Sequence, residues 1–168
     1  ATKLIDELVD ARKRYRGIVR FGVATDTYDA DGTATSETDA SGVTREAIEA
    51  ELTAFQGEIQ QTPPAYSAVK RDGEPAYKAA RRGEPLELDP RPVTIYELTL
   101  GEFDTSDPTR PSIEIDLRCS RGFYVRSLAH DLGAALGVGA HLERLYRTAV
   151  GEFKLEDAVP LDRVCELF

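Results

Sequence analysis

The stretch from Ser112 to Cys119, SIEIDLRC, alternates polar and apolar side chains over its whole length. Such alternation places every second side chain on the same face of an extended chain, so it predicts a strand with one buried face. After the turn Ser120-Arg121-Gly122, apolar residues recur every four positions from Tyr124 to Leu136. That spacing is typical of an amphipathic helix, and the glycines at 137 and 139 should end it. A strand followed at once by a helix indicates a sheet covered by helices.

The rest of the chain shows the same two periodicities. It predicts helices over residues 3–13, 44–57, 75–82, 142–146 and 161–168, and strands over 15–23, 93–103 and 150–153. Thr44 is the expected N-cap of its helix. Turn-rich composition makes 25–42 a loop or a short edge hairpin, and consecutive prolines make 60–68 a loop. Without repeats or a long linker, we expect a single domain over 1–168, of class α/β (α+β), with a mixed, mainly antiparallel sheet flanked by helices.

Composition excludes several classes of protein. The chain has 168 residues, 41% of them hydrophobic, and its Lys+Arg 21 against Asp+Glu 30 give a net charge of −9. No apolar run approaches the roughly 20 residues of a membrane span, so we expect no membrane partner. The two cysteines and two histidines cannot form a disulfide framework, and their spacing matches no zinc motif, which favours a reducing, cytoplasmic location. The chain lacks methionine and starts at Ala1, which we interpret as a piece of a longer or processed protein.

The charges are segregated along the sequence. Residues 12–20 carry five bases and no acid, whereas 26–58 carry nine acids and only Arg45 as a base. Further bases follow at Lys70, Arg71, Lys78, Arg81, Arg82, Arg118, Arg121 and Arg126. Spacing alone leaves two interpretations open. The basic side chains form a solvated charged face, or they form a surface that binds RNA phosphates. In the second case Tyr15, Tyr66 and Tyr124 are available to stack on nucleobases.

Three further segments do not match the motifs of a calcium site, a phosphate-binding loop or a catalytic triad. The segment Asp29-Ala30-Asp31-Gly32 lacks the acidic first and twelfth positions of a calcium loop, so we interpret it as a turn. The glycines after residue 132 do not match a phosphate-binding loop. No serine lies in a Gly-x-Ser-x-Gly motif, and we expect His130 on a helix surface and His141 at a cap rather than in a catalytic triad.

Several motifs together closely resemble the TruB family of tRNA pseudouridine synthases. They are Lys13-Arg14-Tyr15, TDTYDADG at 25–32, QTPPAYSAVK at 61–70, CSRGFYVRSL at 119–128, GAHL at 139–142 with Leu145, and Gly151-Glu152-Phe153. The resemblance covers nearly the whole chain and implies part of the pseudouridine synthase catalytic-domain fold. It also implies isomerisation of the T-loop uridine of tRNA, position 55, by breaking the N-glycosidic bond and rejoining the base through carbon, without metal or organic cofactor. Such an enzyme must flip its target base out of the stack.

The resemblance further implies the residues of the site. Tyr15 would stack on the flipped uracil, close to the proton lost from its ring carbon. Without the resemblance, the sequence favours an aromatic on the core face of a strand. Tyr124 and Arg126 match a motif in which the arginine pairs with the catalytic aspartate. The remaining candidates would contact substrate, with Leu145 against the base and Lys13, Lys70, Arg121 and Arg147 against the RNA.

The chain departs from the family pattern at two places. The nucleophilic aspartate of the family lies in a Gly-x-Leu-Asp motif, which is absent between Ala1 and Phe168, and Tyr146 replaces an arginine. We therefore expect the C-terminal larger part of a catalytic domain, inactive by itself, without a separate RNA-binding extension. We expect a monomer whose N-terminal segment is missing or separate and whose partner is the tRNA T-stem-loop. The alternative is a non-catalytic RNA-binding or tRNA-folding module that retains the groove.

Overall fold

An antiparallel sheet of six strands forms the centre of the computed structural model, which describes residues 11–160 together with Val9 and Arg163. In chain order the elements are β1 (Lys13–Phe21), β2 (Val23–Thr25), β3 (Ala34–Glu37), α1 (Arg45–Leu52), β4 (Gly57–Gln61), β5 (Lys70–Arg71), β6 (Glu74–Pro75), α2 (Ala76–Arg81), β7 (Arg91–Asp104), β8 (Ser112–Cys119), α3 (Val125–Ala135), β9 (Ala140–Val150) and β10 (Phe153–Lys154). The sheet order is β10-β9-β1-β8-β7-β4, with β2-β3 and β5-β6 as separate ribbons. These elements confirm the expected α+β class with a mainly antiparallel sheet.

Strand β8 lies between β1 and β7, and its alternation is as predicted. Ile113, Ile115, Leu117 and Cys119 are at most 1% exposed, whereas the side chains between them are only partly covered. Helices α1 and α3 contribute Ile48, Leu52, Leu128 and Leu132 to the same hydrophobic core. Burial of each such side chain is worth about 1.5–3 kcal/mol. The core therefore holds α3 in place against the sheet, and with it the residues at the start of α3.

Most of the predicted helices and strands between residues 13 and 135 are confirmed. Thr44 caps α1, because its Oγ1 accepts a hydrogen bond from the Ala47 N–H at 3.2 Å. Helix α1 continues as a 3-10 turn over Thr53–Phe55, and Gly57 follows it with φ +81°. The segment 25–42 contains a short hairpin, β2-β3, and α2 ends before Gly83 as expected.

The prediction of a short helix over 142–146 was wrong, because these residues belong to β9. Leu142 and Leu145 are three residues apart, which is a helical spacing. In the structure a β-bulge opposite Ile18 and Val19 inserts one extra residue, so that both leucines project from the same face of the strand. The bulge depends on pairing with β1, which local sequence does not report. Similarly, the predicted strand over 150–153 is interrupted by a turn between β9 and β10.

Strand β4 was also missed, because part of it was predicted to be loop. Its sequence GEIQQ is largely polar, and it forms the sheet edge by pairing with β7 from Gly57↔Ile95 to Gln61↔Arg91. The predicted helices over 3–13 and 161–168 lie outside the described residues, apart from Val9, residues 11–13 and Arg163. Within the part of the chain that the structure describes, no helix is long and apolar enough to cross a membrane.

Candidate active site

A cavity of about 490 Å³ opens where β1 and β9 meet the start of α3. Tyr15 reaches it from β1, Leu145 from β9 and Asp29 from the loop between β2 and β3. Tyr124 and Arg126 reach it from the first turn of α3. Four residues predicted from the sequence thus line the same cavity, and a fifth, Asp29, was not predicted. Across the described ranges, no three His, Cys, Asp or Glu side chains converge as a metal site requires.

Arg126 connects three segments of the chain at this cavity. Its Nη1 donates to Asp29 Oδ2 at 2.9 Å and to the Thr27 carbonyl at 3.3 Å, and its Nη2 donates to the Tyr66 carbonyl at 3.0 Å. The Arg126 and Asp29 side chains are 24% and 25% exposed, so water screens the pair only partly. A cation in the first turn of a helix is disfavoured by the helix dipole, and the Asp29 carboxylate offsets this.

Both carboxylate oxygens of Asp29 are engaged. While Oδ2 accepts from Arg126, Oδ1 accepts from the Thr27 hydroxyl at 2.6 Å and from the Asp31 N–H at 3.3 Å. A carboxylate whose oxygens are all hydrogen-bonded is held in one orientation and is a weaker nucleophile than a free one. The arrangement suits Asp29 to orienting Arg126 rather than to attacking a substrate.

Tyr15 belongs both to the core and to the cavity. It packs against the buried cluster on one side and lines the cavity on the other, so the two interpretations of its aromatic ring are compatible. Burial raises the pKa of the Tyr15 phenol, Cys119 raises it further, and Arg147, which is the partner of Tyr15 across β1 and β9, opposes the change. Tyr15 is therefore a neutral phenol near pH 7, as suits a ring that stacks on a base.

The floor of the cavity is shaped by β1 opposite β9. Gly17 pairs with Leu145 across the two strands, and Leu145 remains 43% exposed. A Cβ on Gly17 would lie 3.0 Å from the Arg144 carbonyl oxygen and 3.1 Å from Leu142 Cδ1. Gly17 was not predicted as a site residue, yet the absence of its side chain lets the leucines of β9 approach β1.

A buried amide fixes the start of α3. Gln61, at the end of β4, is 3% exposed. Its Oε1 accepts from the Tyr124 N–H at 2.8 Å, and its Nε2 donates to the Tyr124 carbonyl at 3.0 Å. One turn further on, the Ser127 hydroxyl donates to the Thr62 carbonyl at 3.0 Å. These bonds position Tyr124 and Arg126. In the sequence, the only sign that Gln61 and Thr62 belong to the site is their position in the QTPPAYSAVK motif.

The four basic residues that were predicted to contact RNA do not all lie at this cavity. Arg147 lies beside Tyr15, whereas Lys70 and Arg121 lie in an exposed ribbon and an exposed turn. Lys13 lines a second cavity, of about 920 Å³, together with Arg12, Arg14, Arg16, Arg118 and Lys154. Strand alternation is the reason that Arg14 and Arg16 diverge from Tyr15, since they project from the other face of β1. The roles of Lys13, Lys70, Arg121 and Arg147 in substrate binding stay predictions.

The two histidines lie only partly as expected, since His130 is on a helix as predicted. His130 is half-buried on α3 with its ring stacked on Tyr28, the centroids being 3.8 Å apart and the planes 13° from parallel. His141 is a strand residue of β9 rather than a cap, with its Nδ1 2.8 Å from the Val23 carbonyl oxygen. Burial lowers the pKa of His130, and the charge of Asp131 opposes this only in part.

The lowered pKa of His130 predicts a loss of stability in mild acid. The unfolded chain takes up a proton near the ordinary pKa of 6.5, before the folded chain does. The His130 contribution is therefore fully present above pH 6.5 and decreases as the pH falls toward the folded pKa. Urea unfolding at about pH 7.5 and pH 5.5 tests this, with His130→Phe as the comparison. The chain with histidine should lose more stability than the phenylalanine variant, and equal losses would contradict the prediction.

Comparisons with known proteins agree with this fold. A solved chain of a Cbf5-Nop10-Gar1 complex superposes with a TM-score of 0.64 and 28% sequence identity, over 99% of this chain and 39% of the other. A second solved chain, from an H/ACA RNP bound to a substrate RNA containing 2'-deoxyuridine, superposes with a TM-score of 0.63 and 23% identity. The superposition covers 99% of this chain and 37% of that chain. At this identity the similarity shows the fold alone. The architecture is that of the pseudouridine synthases.

Sequence comparison narrows the class to a family. The model of the TruB family pseudouridylate synthase N-terminal domain matches residues 1–125, and that of the tRNA pseudouridylate synthase B C-terminal domain matches 126–168. The tRNA pseudouridine synthase B of Azoarcus sp. BH72 is 49% identical over 96% of this chain and 52% of its own length. That of Francisella philomiragia is 44% identical over 99% of this chain and 54% of its own. The chain belongs to the TruB family, and it spans about half the length of these curated relatives.

Proposed function

We propose that the protein containing this chain is a tRNA pseudouridine synthase that isomerises the T-loop uridine at position 55. The observation that carries this proposal is the cavity where Tyr15, Leu145 and the Arg126–Asp29 pair meet. The relatives named above are tRNA pseudouridine synthases, and residues from four of the motifs that resemble the family line this cavity. We place the protein in the cytoplasm as a monomer that binds the T-stem-loop.

The cavity suits a base that has left its stack. Leaving the stack costs a few kcal/mol, which aromatic and apolar contacts in the pocket must offset. In the proposed complex, the Tyr15 ring stacks on the uracil and its phenol lies near the ring carbon that loses a proton. Leu145 covers the base from β9, and its exposed side chain becomes buried as the base enters. The bond between the ribose carbon and the ring nitrogen breaks, the base turns, and the ribose carbon bonds to the ring carbon. That ring carbon loses its proton and the freed ring nitrogen gains one, so the product is an isomer of the uridine.

The nucleophile in this proposal is an aspartate from outside the 168 residues. Asp29 is unsuited to that role because its carboxylate is held by Arg126, Thr27 and the Asp31 amide. Arg126 instead presents an oriented positive charge, to which the incoming aspartate can be drawn. Tyr124, whose backbone is fixed by Gln61, forms the neighbouring wall.

The proposed function is tested with a transcribed T-stem-loop RNA. The full-length protein should convert the uridine corresponding to position 55 to pseudouridine, as detected by mass spectrometry after selective chemical labelling. The 168-residue chain alone should produce none. A stem-loop with cytidine at that position is the matched control. An inactive full-length protein would contradict the proposed function, and turnover by the chain alone would contradict the assignment of the nucleophile.

A non-catalytic RNA-binding or tRNA-folding module is the second candidate. The cavity is lined by two aromatic and two basic side chains, those of Tyr15, Tyr124, Arg126 and Arg144. Such side chains can bind RNA without a nucleophile, which favours this candidate. The same RNA distinguishes the two candidates. Under this alternative the full-length protein binds the stem-loop, with an affinity that falls steeply with salt and with loss of Arg126 or Tyr15, but leaves the uridine unchanged.

A further inference from the structure

Tyr28 has an unusual backbone conformation next to the site. Its φ is +66°, in the left-handed region that is disfavoured for a residue with a Cβ atom. The backbone around it is tied to β9, because the Tyr28 carbonyl accepts from the Leu142 N–H at 2.9 Å and the Ala30 N–H donates to the Leu142 carbonyl at 3.1 Å. The residue between these two anchors is Asp29. The orientation of its carboxylate therefore depends on the conformation that Tyr28 keeps.

The Tyr28 ring is held by α3 rather than by β9. It stacks on His130 with the centroids 3.8 Å apart and the planes 13° from parallel. His130 follows Arg126 by four residues, so both side chains lie on the same face of the helix. Two consecutive loop residues thus contact two consecutive turns of one helix, Asp29 through Arg126 and Tyr28 through His130.

The His130 ring has no hydrogen-bonding role that would explain its position. Its Nδ1 is buried and has no hydrogen-bond partner among the described residues. Burial lowers the pKa of His130, which favours the uncharged ring where it meets the phenol. The face of the ring, and not its nitrogens, makes the contact with the loop.

We propose that Tyr28 and His130 are positioning residues, whose stacking fixes the loop so that the Asp29 carboxylate meets Arg126. This inference rests on the proposed function, because the site whose geometry the stacking fixes is the site proposed to isomerise uridine. Without the stack, Tyr28 is free to leave the left-handed conformation. The following peptide would then rotate and carry the Asp29 side chain away from Arg126.

The experiment uses the full-length protein with His130→Ala, which removes the stack, and His130→Phe, which keeps a planar ring. We expect His130→Ala to lower the single-turnover rate of pseudouridine formation by about 10- to 100-fold, the scale of a misplaced site group, while Kd for the T-stem-loop changes less than about 2-fold. His130→Phe should restore most of the rate. Tyr96→Ala, which removes an exposed aromatic ring on β7 that does not line the cavity, is the control and should retain the parent rate.

A second readout does not depend on activity. The guanidinium ¹⁵N signals of Arg126, assigned by their loss in Arg126→Lys, report hindered rotation while the Asp29 pair is intact. They should become averaged in His130→Ala and remain distinct in His130→Phe. If the parent protein fails to modify the RNA, the proposed function fails, whereas these signals still test the positioning role. Unchanged signals in His130→Ala, or equal rates in the alanine and phenylalanine variants, would overturn it.

Tyr28→Gly separates positioning from simple stabilisation. Glycine adopts the left-handed conformation without strain, so this variant removes the ring and keeps the fold. We expect its rate to fall about as far as that of His130→Ala while its unfolding midpoint stays near that of the parent. A Tyr28→Gly protein with the parent rate would overturn the proposal. This variant tests the proposal even if His130→Ala fails to fold.

Discussion

Replacing Arg126 with lysine in the full-length protein is expected to lower the rate of pseudouridine formation by about 100- to 1,000-fold, the effect typical of losing an oriented charged donor. The guanidinium reaches three acceptors at once, the Asp29 carboxylate and the carbonyls of Thr27 and Tyr66. A lysine ammonium keeps the charge but lacks the planar fork that matches this arrangement. The charge alone should therefore not restore the rate. Single-turnover kinetics with a T-stem-loop measure the effect.

Arg45 is the matched control for this experiment. It also donates to one carboxylate and two carbonyls, namely those of Glu49, Gly101 and Leu100, but it lies on α1 and does not line the cavity. Arg45→Lys should leave the rate within about 2-fold of the parent value, as expected of a surface substitution. If Arg126→Lys and Arg45→Lys have similar rates, Arg126 does not have the role that we propose.

Gly133→Ala is expected to destabilise the chain by about 3 kcal/mol, at the upper end of the usual effect of overpacking. A Cβ on Gly133 would lie 2.5 Å from both Ala140 Cβ and the Gly139 carbonyl carbon, and still closer to the Ala140 nitrogen. These are mainly backbone atoms, which cannot move aside as a flexible side chain does. The Gly133 carbonyl also accepts from Val138 and Gly139 at 3.1 and 3.0 Å, so the end of α3 and the start of β9 are locked together here.

Urea unfolding followed by circular dichroism measures this effect on the 168-residue chain. Gly42→Ala is the control, because a Cβ at Gly42 has no atom within 4 Å. It should change the free energy of unfolding by no more than about 0.5 kcal/mol. A Gly133→Ala chain within about 1 kcal/mol of the parent would show that α3 and β9 can separate without cost, contrary to the packing described above.

Two of the errors in the predicted fold have a common physical cause. The spacing of Leu142 and Leu145, three residues apart, predicts a helix, whereas a bulge in β9 against β1 is what places them on one face. The prolines that follow β4 predict a loop that includes its last two residues, and its polar sequence becomes a strand only through pairing with β7. In both cases the deciding hydrogen bonds join segments that are distant in the chain, and local periodicity does not report them.

The candidate site divides in the same way. The motifs indicated Tyr15, Tyr124, Arg126 and Leu145, and all four line one cavity. The residues that orient them were missed. Asp29 was interpreted as part of a turn after the calcium motif failed, and Gln61 was assigned to a loop. Asp29 is 97 residues from Arg126, and Gln61 is 63 residues from Tyr124.

The sequence by itself determined which segments are amphipathic, where α1 and α3 begin, and which motifs the chain shares with a family, since each of these depends on residues close together in the chain. Only the tertiary structure decided which polar groups meet. Arg14 and Arg16 diverge from Tyr15 because alternate side chains of a strand point to opposite faces. Arg126 meets Asp29, and His130 meets Tyr28, because the hydrophobic core brings α3 against a loop that is nearly 100 residues earlier in the chain.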